Sequence, residues 1–174
     1  PMGGAFSLMN ALAALTACSE LGIDHDSLVD GCAQLAQIPG RFESVANSHG
    51  IGVVVDYAHT PDGLREVISS ARALCTGRLI VVFGCGGDRD AGKRPLMGTA
   101  AQEADIVFIT SDNPRSEDPM AIINAIVSGV TKSTIDVRID EDRSQAIASA
   151  ILEARRDDIA VSYTHLTLPT NREV

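Results

Sequence analysis

Four short apolar runs rich in β-branched residues recur along this chain, at residues 51–55, 79–83, 106–110 and 135–139. Each is followed by a stretch with helical character, at about residues 62–74, 95–104, 120–130 and 143–155. Runs of that length with little polar alternation are strands buried on both faces. A strand–helix unit repeated four times specifies an α/β fold, a mostly parallel sheet with helices on both faces. Local signals agree: Thr60 is placed to cap the first of these helices, with Pro61 at its first position.

Ahead of the repeat lie two further helical stretches, 6–18, rich in Ala and Leu, and 26–35, opened by an Asp/Ser cap region. Two helices enclose no core, so they are expected to belong to something larger. Pro39-Gly40 is the clearest domain boundary in the chain.

Ligands of open parallel sheets bind beyond the carboxyl ends of the strands. Here the polar and glycine-rich sequences follow the first three strands directly, as DYAH, GCGGDRD and SDNPR. Three such loops on one edge make a cleft, although strand-end loops are also polar simply because they are exposed. Gly87 to Lys93 fits the first seven positions of a phosphate-binding P-loop, but Arg94 stands where Ser or Thr would ligate magnesium, and Pro95 follows. The loop is therefore rejected as a P-loop. Gly84-Cys85-Gly86 begins a dinucleotide fingerprint whose last glycine is replaced by Arg89. What remains is a flexible loop presenting Arg89, Lys93 and Arg94 toward an anion, or a solvated turn.

At the end of the first strand, Asp56 is suited to a ribose hydroxyl and Tyr57 to stacking on a base. His59 either touches phosphate or serves as a structural hydrogen-bonding residue. In Asp112-Asn113-Pro114-Arg115, Asp112 takes an ammonium, Asn113 offers a donor and an acceptor, and Arg115 forks onto a carboxylate. Pro114 holds Asn113 out of the helical region. The set suits a zwitterionic, amino-acid-like ligand, and equally an Asx-turn ahead of a helix. No His or Cys is placed for a metal site.

The 174 residues carry 14 Lys plus Arg against 23 Asp plus Glu, a formal charge of −9. That excludes a general nucleic-acid or anionic-membrane binder, which needs a basic face. No apolar run reaches the length of a membrane span and the start lacks a signal-peptide pattern, so a cytoplasmic protein is expected. The four cysteines have neither C-x-x-C spacing nor a His companion, and read as buried or incidental thiols in a reducing compartment.

DYAHTPDGL, VFGCGGDRDAGKRPLMG and SDNPR-SEDP-AIINAI occur in order, and with Gly40-Arg41-Phe42-Glu43 they closely resemble the Mur ligase family of bacterial peptidoglycan synthesis, in its diaminopimelate-adding branch. The resemblance covers residues 1 to about 160. It implies a Rossmann-like C-terminal domain over 41–160, preceded at 1–40 by the last helices of a central ATPase domain. It also implies an ATP-dependent ligase that adds meso-diaminopimelate to UDP-MurNAc-L-Ala-D-Glu through an acyl phosphate, monomeric at full length. By the same resemblance Asn10, Arg41, Asp56, Tyr57 and His59 lie on the nucleotide side, and Arg89, Asp112, Asn113, Pro114 and Arg115 on the diaminopimelate side. The catalytic residues and the ligands of Mg2+ are expected in the part that precedes this chain, so the fragment alone is expected to be inactive. An L-lysine-adding homologue and a non-catalytic nucleotide- or amino-acid-binding remnant are the alternatives.

Two departures bear on those expectations. Ser7 stands where the family shows the first Asn of F-N-x-x-N. Beyond Val161 the residues SYTHLTLPTNREV match neither the strand-loop pattern nor the family. Residues 161–174 are therefore expected to be a non-native tail resembling adapter-derived sequence, and the sheet to lack its fifth strand.

Overall fold

The strands Leu79–Phe83 and Ile106–Thr110 are buried along their whole length, as unbroken LIVVF and IVFIT runs require. The computed structural model describes residues 5–163. In chain order the elements are α1 (Ala5–Glu20), α2 (His25–Ala33), β1 (Glu43–Ser44), β2 (Gly52–Asp56), α3 (Pro61–Leu74), β3 (Leu79–Phe83), α4 (Lys93–Ala101), β4 (Ile106–Thr110), α5 (Pro119–Val127), β5 (Asp136–Asp140), α6 (Arg143–Glu153) and β6 (Ile159–Tyr163). They form a sheet of order β1-β2-β6-β3-β4-β5. Every pairing is parallel except that of β1 with β2.

Alternation along the strands sorts the core into two layers. Val81, Phe83, Val107, Ile109 and Val161 face a large cluster with Leu64, Ile68, Met97, Ile123 and Ile126 of α3, α4 and α5. Ile80, Val82, Ile106, Phe108 and Ala160 face α6, whose Ala146 and Ala150 bring the helix close. Helices thus cover both faces as expected, three on one side and one on the other. The cap expected at Thr60 is present, its side chain accepting from Gly63 N–H at 3.1 Å.

Three expectations need correction. The sheet does have its fifth long strand: β6 lies between β2 and β3, with Val53 beside Ala160 and Val81 beside Val161. Val161, Ser162 and Tyr163, assigned from sequence to the tail, belong to this strand, while residues 164–174 lie outside the described residues. The start of β6 is anchored by Asp158, which accepts from Arg78 N–H at 2.7 Å, the Arg78 guanidinium at 2.7 Å and Arg155 N–H at 2.9 Å. Burial alone pushes its pKa up; those donors outweigh burial and hold it below the usual carboxylate range. Second, β5 is an edge strand with exposed positions, its Arg138 bonded to Asp136 and Glu153, so it is not fully apolar. Third, β1 is too short to show in a sequence pattern.

α1 and α2 stand apart from the sheet. α2 buries none of its residues, and Leu8, Met9 and Leu12 of α1 are exposed. Phe6 joins the domain through an edge-to-face contact with Phe42, ring centroids 6.0 Å apart. Among the described residues no helix is long and apolar enough to cross a membrane.

Candidate functional site

Parallel pairing carries the C-terminal ends of β2, β6, β3 and β4 to one edge, where the loops after β2, β3 and β4 meet around a cavity of about 440 Å³. Tyr57 and His59 line it from the first loop, Gly84, Cys85, Gly86, Arg89 and Asp90 from the second, and Asp112, Asn113 and Arg115 from the third. Lys93, Met97 and Tyr163 complete it.

The first wall is a pair of tilted rings. Tyr57 and His59 lie 4.9 Å apart centroid to centroid with their planes 53° apart, and His59 Nδ1 is 3.1 Å from the Tyr57 carbonyl. Arg41 Cζ lies 5.3 Å from the Tyr57 ring centroid, within cation–π range. Lys93 Nζ donates to the His59 carbonyl at 3.1 Å and so ties the start of α4 to this wall.

The second and third loops pack backbone against backbone. Gly87 N–H donates to the Asn113 carbonyl at 2.8 Å, and a Cβ on Gly87 would lie 1.8 Å from the Pro114 carbonyl oxygen. Arg115 Nη1 donates to the Gly87 carbonyl. Cys85 is buried, which pushes its thiol up to about 11, offset in part by Lys93 and Arg94; it is a neutral wall at physiological pH. Arg89 is exposed at the cavity mouth and makes no hydrogen bond or ion pair with any described residue.

The predicted residues therefore divide in space. Tyr57, His59, Arg89, Asp112, Asn113 and Arg115 share the cavity. Pro114 stays behind the wall, its carbonyl against Gly87. Asp56 lies beneath a smaller neighbouring cavity of about 260 Å³ with Arg41, Tyr57 and His59. Its Oδ2 accepts from Phe42 N–H at 2.7 Å, which ties the segment after Pro39-Gly40 to β2. Burial raises the Asp56 pKa, opposed by the Phe42 N–H and the Arg41 charge. Asn10 lines a third cavity of about 500 Å³, between α1 and the segment 35–42, which shares Phe6 and Arg41 with the second. Of the basic trio expected to face an anion, Arg94 turns inward instead: it is 4% exposed and forks onto Glu117 at 2.7 and 2.8 Å.

Sequence reasoning missed two residues here. Tyr163 enters the cavity from β6, which was set aside with the tail. Arg143, at the start of α6, places a buried guanidinium near Asp112, with its Cζ 5.9 Å from the Tyr163 ring centroid. Burial lowers its pKa and the Asp112 charge opposes that. No local signal marks Arg143, because its position depends on α6 crossing back over the sheet.

A parallel α/β domain with arginines, carboxylates and a pair of tilted aromatic rings gathered at its strand ends has the chemistry of a cleft for small charged molecules. The comparisons with known proteins give the family. The profile of the Mur ligase glutamate ligase domain matches residues 40–162, and the chain belongs to the Mur ligase family. A UDP-N-acetylmuramoyl-L-alanyl-D-glutamate--2,6-diaminopimelate ligase of Clostridioides difficile (strain 630) is 47% identical over 162 residues, 92% of this chain and 34% of that protein. A solved structure of a ligase of the same name is 41% identical with a TM-score of 0.70, covering 94% of this chain and 34% of that one. The Mycobacterium tuberculosis folylpolyglutamate synthase complexed with ADP and AMPPCP shares the fold, with a TM-score of 0.73 at 23% identity, covering 94% of this chain and 38% of that one. The chain spans about a third of the length of the relatives it matches.

Proposed function

We propose that this chain is the amino-acid-binding part of an ATP-dependent ligase that adds meso-diaminopimelate to UDP-MurNAc-L-Ala-D-Glu. The observation that carries the reading is the arrangement of Arg89, Asp112, Asn113 and Arg115 around one cavity. Diaminopimelate has a carboxylate and an amine at each end, so it needs cationic and anionic readers at two points. Arg115 is assigned to the far carboxylate, Asp112 to an ammonium, Asn113 to either group and Arg89 to the other carboxylate. Pro114 supports them by fixing the loop.

In the ligation itself, the D-glutamyl carboxylate attacks the γ-phosphorus of ATP, giving an acyl phosphate and ADP. The amine of the incoming amino acid then attacks the acyl carbon, phosphate leaves with the C–O bond pair, and the amine proton passes to solvent. This chain contributes positioning, which is where binding domains lower such barriers. Arg41, Tyr57 and His59 are assigned to the nucleotide, the Tyr57 ring offering a face for a base. Asp56 acts beneath them by holding Phe42, and Asn10 by lining the adjoining cavity. The reading of 1–40 as the end of the preceding domain is supported by the start of the family match at residue 40 and by the exposed apolar face of α1. Among the described residues no three His, Cys, Asp or Glu side chains converge on a metal position, so no magnesium step is assigned here.

The test is Arg115→Ala in a full-length enzyme carrying this domain, with meso-diaminopimelate and L-lysine compared as substrates. A charge-assisted bond contributes about 1.5–3 kcal/mol, so the preference for diaminopimelate is expected to fall roughly ten- to a hundredfold. Selectivity that survives the substitution overturns the role of Arg115. A wild-type enzyme that prefers L-lysine overturns the substrate.

A further inference from the structure

We propose that Glu117 and Arg94, neither of which lines the cavity, are positioning residues that set the spacing of Arg115 and Arg89 before the amino acid arrives; the inference rests on the substrate reading above. Among the described residues the Glu117 side chain ties the third loop to both the second loop and α4. Its carboxylate accepts from Asp88 N–H at 2.6 Å in the second loop and takes the Arg94 fork from α4. Its own N–H is bonded to the Pro114 carbonyl at 3.0 Å. Asp88 reciprocates, its Oδ1 accepting from Ser116 Oγ at 2.7 Å and its Oδ2 from Ser116 N–H at 3.3 Å. The clasp thus crosses between the loops in both directions.

Its chemistry favours rigidity. Arg94 is buried and fully charged, raised further by its hydrogen bonds to Glu117, while Glu117 is held below the usual carboxylate range by the same fork. Removing the carboxylate leaves a buried guanidinium without its anion, a far worse state than a solvated pair. The two non-glycine residues of these loops with left-handed backbone are Asp88, φ 50°, and Arg115, φ 51°. Such conformations are unfavourable for L-residues and persist where surrounding bonds over-determine them. Here the clasp surrounds both. The clasp fixes the backbone from which Arg89, directly after Asp88, and Arg115 itself project. A preorganised pair of guanidiniums loses less freedom on binding a ligand with two carboxylates than two free ones would.

The experiment uses the 174-residue chain with Glu117→Gln, which keeps the size of the side chain, and with Ser116→Ala as a milder second variant. Hydrogen exchange reads the clasp directly: the Gly87 and Asp88 amides are expected to exchange slowly in the wild type and about tenfold faster in Glu117→Gln, the equivalent of losing one charge-assisted bond. Calorimetric titration reads its consequence: the Kd for meso-diaminopimelate is expected to rise about tenfold, and that for L-lysine, which meets Arg89 but lacks the far carboxylate, to rise several-fold less. Unchanged amide exchange in both variants overturns the clasp. Faster exchange with equal loss of both amino acids overturns the positioning role in favour of a merely structural one. If the wild type takes neither amino acid, the substrate reading fails, and the exchange rates alone decide whether the clasp exists.

Discussion

Gly87→Ala isolates the contact on which the cavity depends. The added Cβ would lie 1.8 Å from the Pro114 carbonyl oxygen and 2.6 Å from its carbon, and both are backbone atoms with no rotamer to yield. Moving from 1.8 Å out to the 3.4 Å of ordinary contact requires the loops to part by about 1.6 Å. That displacement breaks the bond from Gly87 N–H to the Asn113 carbonyl and the one from Arg115 to the Gly87 carbonyl. Overpacking of this kind costs about 1–3 kcal/mol and each of the two lost bonds about 1 kcal/mol, so the expected destabilisation is about 3–5 kcal/mol. For a chain of this size that lowers the midpoint of thermal unfolding by roughly 6–20 °C.

The assay is thermal unfolding followed by circular dichroism, with Gly92→Ala as the comparison. At Gly92 the same methyl meets only the Asp90 carboxylate at 3.2 Å, a side-chain end that yields by a few tenths of an ångström while keeping its bond from Gly92 N–H, and the change is expected within about 0.5 kcal/mol. The substitutions are chemically identical and five residues apart, so a difference between them reports loop contact rather than glycine entropy. A Gly87→Ala midpoint no lower than that of Gly92→Ala refutes the backbone-to-backbone packing described here, and the preformed spacing of Arg89 and Arg115 with it.

Asp158→Asn removes the charge that anchors the start of β6 and is expected to cost about 2–3 kcal/mol at pH 7 in urea unfolding. Because the folded pKa of Asp158 lies below its unfolded value, that contribution is complete above the unfolded pKa and is lost as pH falls through the folded one; the wild type and the variant are expected to converge in acid. Asp56 has the opposite sign: burial raises its folded pKa, so its ionised form opposes folding as pH rises through that value. Asp56→Asn, which still accepts from Phe42 N–H, is expected to leave the unfolding midpoint unchanged or higher at pH 7, with the difference vanishing in acid. A large loss at pH 7 contradicts this.

The legible part of the fold is the part specified locally. The runs 79–83 and 106–110 appear as strands at those bounds because every position is apolar and both faces are covered. Thr60-Pro61 fixes the start of α3 because a cap and a proline act within one turn. β6 was hidden for a different reason. IAVSY reads as a strand only if Ser162 and Tyr163 are admitted, and the unfamiliar residues after them argued for exclusion; the sheet has room for them because β2 and β3 both lack a neighbour without β6. β1 pairs over two residues, fewer than any periodicity can reveal.

The site shows the same division. Motif residues on short loops fall where their strands end, so Tyr57, His59, Arg89, Asp112, Asn113 and Arg115 could be gathered from sequence. Direction could not. Arg94 follows Lys93 in a basic stretch, and only Glu117, distant in sequence, turns it inward. The same holds for the acids of the GCGGDRD loop, whose direction the sequence alone does not give. In the folded chain Asp88 and Glu117 are engaged in joining the loops, and Asp90 Oδ1 accepts from Gly92 N–H at 2.9 Å. Arg89 and Arg115 at the cavity wall are thereby left facing Asp112 and Asn113 rather than a ring of carboxylates. A chain of net charge −9 lines this cavity with Arg89, Lys93 and Arg115 against Asp90 and Asp112, while Asp88 and Glu117 are bonded within the scaffold. On the proposed reading, selectivity for a doubly zwitterionic amino acid would rest on how the loops are clasped, which the composition of either loop alone conceals.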